Sequence, residues 1–115
     1  MKQFFRIFLS VIVIALFSQQ ALAECSHGEG PIIPDGNVAS QDELVAAQKA
    51  MKAFQADLVT YRECLVEEES AVDPEAADAA EQTAAIGAKY DASVDAEEQM
   101  AAEFNAAVRA FKARQ

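Results

Sequence analysis

The sequence predicts an all-α fold: a coiled-coil-like antiparallel two-helix hairpin, with an extended N-terminal segment stapled to it by one disulfide. Three observations carry that expectation. Apolar residues recur at alternating steps of three and four over residues 44–65 and again over residues 76–111. An Asp73-Pro74-Glu75 signal separates the two stretches. Cys25 and Cys64 are the only 2 cysteines, and they follow a leader of the exported kind.

The leader occupies residues 1–23. Lys2 and Arg6 form a basic start, and residues 7–17 are apolar apart from Ser10. Ser18, Gln19 and Gln20 then lead into Ala21-Leu22-Ala23, which places small residues where a signal peptidase accepts them. The apolar run is shorter than the roughly 20 residues needed to span a bilayer. The expectation is a cleavable signal peptide with cleavage after Ala23 and a mature chain beginning at Glu24. Leu22-Ala23-Glu24-Cys25 also resembles a lipobox, so an outer-membrane-attached lipoprotein through Cys25 is an alternative. The bulky charge of Glu24 before the cysteine weighs against it, as does the partner that Cys64 offers Cys25.

Loss of the leader takes Lys2 and Arg6 with it. Seven basic residues then face 19 acidic ones, a formal charge of −12 over residues 24–115. A nucleic-acid binder needs a basic footprint to displace counterions, so that class is excluded. An anionic membrane surface is disfavoured for the same reason, and no membrane contact is expected after cleavage. A domain this small has a limited core, and a covalent staple helps it. Chain-entropy arguments give about 4 kcal/mol for a bridge closing a loop of roughly 40 residues.

Residues 24–39 form the extended segment, with Gly28, Gly30, Gly36, Pro31 and Pro34 and a turn at Pro34-Asp35-Gly36-Asn37. Ile32 and Ile33 are expected to face inward from it. Residues 40–115 form the hairpin, with helices over about 40–69 and 74–113. Ser40-Gln41-Asp42-Glu43 is a capping box that starts the first helix. Its seam is Leu44, Ala47, Met51, Phe54, Leu58, Tyr61 and Leu65, with Lys49, Lys52, Asp57, Arg62 and Glu63 on the solvated side. The second helix is capped by Asp73. Its expected seam is Ala76, Ala80, Thr83, Gly87, Tyr90, Val94, Glu97, Ala101, Phe104, Val108 and Phe111.

A short connection makes the helices antiparallel neighbours. The first helix runs about 36 Å from Ser40 to Cys64 at 1.5 Å per residue. The extended segment reaches about 45 Å, so the bridge closes if the segment runs back along the helix pair. The second helix is then longer by about 15 Å. That leaves Phe104, Val108 and Phe111 near or beyond the start of the first: either the N-terminal loop covers them, the second helix bends near Gly87, or another chain covers them. These three residues are the candidate interaction patch, for another protein or for a second copy in a homodimer.

Chemistry-bearing patterns are sparse. Cys25, His27, Glu24 and Glu29 lie within six positions, but no spaced second pair of ligands accompanies them. Metal binding through the His27 region is therefore the alternative function, and no cofactor or metal ligand set is assigned. Neither G-x-S-x-G, Cys-x-x-Cys nor a phosphate loop occurs, so no catalytic residue is assigned and an enzyme is not expected. Glu97 sits in the second seam, with Lys49 or Lys52 as its expected partner. The acidic stretch from 67 to 81 is expected to be a solubilising hairpin tip.

Several of these features recur together. Ile33-Pro34-Asp35-Gly36, the helical stretch Val45-Ala46-Ala47-Gln48-Lys49-Ala50-Met51-Lys52, Tyr61-Arg62-Glu63-Cys64-Leu65 and the ending Phe104-Asn105-Ala106-Ala107-Val108-Arg109-Ala110-Phe111-Lys112 follow one another in that order. In this the chain resembles a group of small exported helical proteins of proteobacteria. The resemblance spans nearly all of residues 24–115 and implies a periplasmic location. It implies no activity and no site residues.

Overall fold

The computed structural model describes residues 24–115; the expected signal peptide lies outside them. Two helices, α1 (Gln41–Ser70) and α2 (Ala79–Ala113), pack as an antiparallel hairpin. Among the described residues there is no strand.

α1 begins where its capping box places it. The Glu43 amide donates to Ser40 Oγ at 3.1 Å, and the Ser40 amide donates to Glu43 Oε2 at 2.7 Å. All seven residues of its expected seam are buried, and Leu58 and Leu65 are fully so. Removing each of these two leucines from water stabilises the fold by about 1.5–3 kcal/mol. No basic residue lies in the last turn of α1, although Glu67, Glu68 and Glu69 do. Its final carbonyls are satisfied instead by the amides of Ala71 and Val72 and by the Ser70 hydroxyl.

α2 starts later than the expected residue 74. Asp73 does accept from an amide, that of Glu75 at 2.9 Å, but this closes a local turn. Two successive turns follow, Ala76 amide to Asp73 carbonyl and Ala79 amide to Ala76 carbonyl, and the helix begins at Ala79. The cause is Val72, which packs over Tyr61, Leu65 and Ile86. The chain must cross the end of α1 to bury that side chain before it can run back.

The late start shifts the pairing of the helices. The buried residues of α2 are Ile86, Ser93, Met100 and Ala107, with Phe104 and Phe111 half-buried beside them. Of the expected seam, Glu97, Phe104 and Phe111 lie half-buried beside the true one, whereas Ala80, Thr83 and Tyr90 are exposed. The expected seam is displaced by one at Gly87, Val94, Ala101 and Val108, each of which lies half-buried on the flank next to the true seam. Size explains the displacement at two of these four positions. Ser93 and Ala107 are small enough for close approach, whereas their larger neighbours Val94 and Val108 carry the stronger apolar signal.

The segment before α1 runs back along the helix pair as a strap. The Gly28 amide donates to Asp57 Oδ2 at 2.8 Å, Gly30 rests on the Phe54 ring, and Ile33 enters the core with Phe104. Ile32, expected inside, is 94% exposed, because adjacent residues of an extended chain point in opposite directions. The strap then turns at Asp35, whose carbonyl accepts from Val38 and Ala39 and whose carboxylate accepts from the Asn37 amide and side chain, each at 2.9 Å for the latter two. Gly36 presses its Cα against the Ala107 carbonyl of α2.

Two glycines should respond oppositely to the same substitution. A Cβ at Gly36 would lie 1.9 Å from the Ala107 carbonyl oxygen, whereas one at Gly87 meets nothing within 4 Å. Gly36→Ala is expected to destabilise by about 1–3 kcal/mol. Gly87→Ala is expected to stabilise by up to about 1 kcal/mol, as helix propensity dictates. Urea denaturation of both variants measures the contrast. The Asn37 hydrogen bonds, backbone first, hold the Asp35 carboxyl below its ordinary range, with help from Arg114. A depressed folded value means that the ionised turn stabilises the fold above about pH 4 and loses that contribution as pH falls through the folded value. Carbon-detected titration should find Asp35 below ordinary aspartates, and Asn37→Ala, which keeps the backbone amide, should return it only part of the way.

Candidate functional site

Cys25 and Cys64 form the expected disulfide, with Cα atoms 5.8 Å apart across 39 residues. No free cysteine occurs among the described residues. The bridge sits against Tyr61, Leu65 and Ile86, so it anchors the strap to the core at the hairpin's turn end. A Cys25 sulfur bound this way cannot serve as a thiolate ligand, nor can it carry a thioether-linked lipid.

His27 has a packing role in this arrangement. Its ring meets Tyr61 and Phe54 edge-on, at centroid distances of 4.6 and 5.8 Å, and Nδ1 donates to the Gly28 carbonyl at 2.7 Å. Of the nearby acids, Glu24 reaches across to Lys89 at 3.5 Å and Glu29 is exposed. Among the described residues no three His, Cys, Asp or Glu side chains cluster as a metal would need. Nor is any described helix long and apolar enough to cross a membrane.

Phe104 and Phe111, from the candidate patch, have partners within the chain. Phe104 packs between the Met51, Phe54, Leu58 and Met100 cluster and the Ala39, Leu44 and Ala107 cluster. Phe111 joins the second cluster, and the Arg114 guanidinium lies 5.2 Å over its ring while also donating to the Ala39 carbonyl. Val108 is half-buried on the adjoining flank. The excess length of α2 over α1 is only five residues, 35 against 30, and the strap's turn covers that end. Of the two covers that the sequence allowed, the structure has the N-terminal loop.

Glu97 is bound by neither Lys49 nor Lys52. Its Oε2 accepts from Arg62 Nη2 at 2.8 Å, and Arg62 Nη1 makes a weak 3.5 Å contact with Ser93 Oγ. Ser93 in turn donates to the Tyr90 carbonyl at 2.6 Å. The displaced register explains the change, since Glu97 faces the middle of α1 rather than its start. Arg62 sits one position off the expected seam, yet its side chain is only 15% exposed and its stem covers apolar surface. A pair this sheltered contributes more than an exposed one and penalises any slip of one helix past the other.

The two flanks of the hairpin differ. One is filled by the strap. On the other, Val59, Arg62, Glu63, Val66, Glu67 and Tyr90 line an open groove of about 460 Å³. The valines and Tyr90 there are between 39% and 55% exposed. The sequence carried a signal for this groove in the valines spaced seven apart, 59 and 66, on a face taken as solvated. No protein-family model matches the chain, and no curated protein and no solved structure is similar to it.

The bridge should dominate the stability of the strap. Reduction, or Cys64→Ser, is expected to cost about 2–4 kcal/mol. Denaturation with and without reductant reads the loss. Hydrogen exchange at the Gly28 amide, now bonded to Asp57, should accelerate at the same time.

Proposed function

We propose that this chain is an exported, periplasmic, non-catalytic module that works by presenting a helical surface to another protein. The observation that carries the reading is the Cys25–Cys64 bridge, which makes the packed strap depend on an oxidising compartment. The signal-like residues 1–23 and the resemblance to small exported proteobacterial proteins agree with that compartment. The charge of −12 over residues 24–115 removes nucleic acid and anionic lipid from the partners to be considered. What remains is a rigid hairpin with one flank sealed by its own strap and the other open, which suits recognition by surface complementarity.

Fractionation of the native host followed by crosslinking tests this reading. The chain is expected in the periplasmic fraction, oxidised and cut after Ala23, with a discrete crosslinked partner. A reduced cytoplasmic protein, or one that yields no crosslinked species at any face, would overturn it.

A further inference from the structure

We infer that the open groove between α1 and α2 receives a cationic amphipathic helix of another exported protein, an assignment that rests on the interaction reading above. Two features of the groove converge with a third residue beside it. Val59 and Val66 lie seven residues apart, hence on one stripe of α1, and are 48% and 55% exposed. Tyr90 faces them from α2, presenting an apolar ring and a polar tip. Gly87 lies one turn before Tyr90 on the same face, half-buried, with open space where a Cβ would stand.

Gly87 is the most informative of these. As a glycine in a helix interior it weakens α2 relative to alanine. It also takes no positive φ, and nothing among the described residues requires its lack of a side chain. Gly36 and Gly30, by contrast, are explained by the Ala107 carbonyl and the Phe54 ring that lie against them. A bare backbone beside an exposed apolar stripe permits the close approach of an incoming helix.

Charge selects the occupant. The only basic residue lining the groove is Arg62, and Glu97 neutralises it at 2.8 Å. Glu63 and Glu67 remain on the rim without a basic partner in the groove. A helix with apolar anchors at i, i+3, i+4 and i+7 and lysine or arginine beside them would bury the first on the valines and set the second against the glutamates. A second copy of this chain fits poorly, because it would bring another −12 and a second pair of rim glutamates to the same place.

Fluorescence anisotropy with a labelled, amidated peptide of leucine and lysine at helical spacing provides the test, using the oxidised chain from Glu24 onward. Saturable one-to-one binding is expected. Val59→Ser with Val66→Ser should weaken it by about tenfold or more. Gly87→Leu should weaken it equally while raising the melting temperature, which separates a blocked groove from a damaged fold. Glu63→Gln with Glu67→Gln should weaken it and flatten its salt dependence. Three outcomes would overturn the assignment: no saturable binding, equal binding of a scrambled peptide of the same composition, or groove variants that bind like the parent. A dimer in sedimentation that Gly87→Leu abolishes would overturn it too, in favour of a second copy. If the peptide fails while crosslinking captures a partner through another face, the interaction reading survives and only the groove is wrong.

Discussion

The strap holds this structure together, and the disulfide holds the strap. Two helices alone share one seam, too narrow to enclose Phe54, Tyr61 and Phe104 from both sides. The strap supplies the missing side. It is fixed at one end by Cys25 on Cys64, in the middle by Gly28 on Asp57, and at the other end by Gly36 on Ala107. These three anchors are spread along the hairpin's length, so the strap acts as a third layer rather than a loose tail. Its backbone is costly to order, so the covalent anchor matters more here than it would in a larger core.

Register is set by two features that act at different points. Val72 draws the chain over the end of α1 before α2 can begin, and Arg62 pairs with Glu97 across the middle of the hairpin. A slip of one heptad would preserve much of the apolar pairing, because Met51 and Phe54 offer apolar surfaces much as Leu58 and Tyr61 do. The ion pair and the Gly36–Ala107 contact would not survive it. Specific polar and small-residue contacts thus pick one alignment out of several that burial alone would tolerate.

The sequence made α1 legible because a strong cap and a single unbroken run of large apolar residues point the same way. The bridge was legible because two cysteines behind a leader of the exported kind leave one pairing. α2 was harder. Its helix is alanine-rich, so neighbouring stripes differ little in hydropathy, and Val94 and Val108 outweighed Ser93 and Ala107. The true choice depended on how closely another segment approaches, which is a tertiary fact. The same applies to Ile32, whose neighbour Ile33 took the inward place, and to Arg62, whose charge hid the packing of its stem.

The error in the α2 pattern has a physical meaning of its own. Gly87, Val94, Ala101 and Val108 form a stripe that is apolar enough to resemble a seam but only half-buried in the chain. An amphipathic helix in a two-helix hairpin needs one apolar face, and α2 has that face widened by a second stripe. On the strap side the chain's own N-terminal segment packs over Phe104 and Ala107. On the opposite side nothing among the described residues does, and there α1 adds Val59 and Val66, left 48% and 55% exposed. A strongly acidic protein gains solubility from every charged position, so retaining apolar residues at heptad spacing on an open flank runs against that tendency. The hairpin is therefore closed by covalent means on one side and left apolar on the other, an asymmetry that packing within one chain does not require.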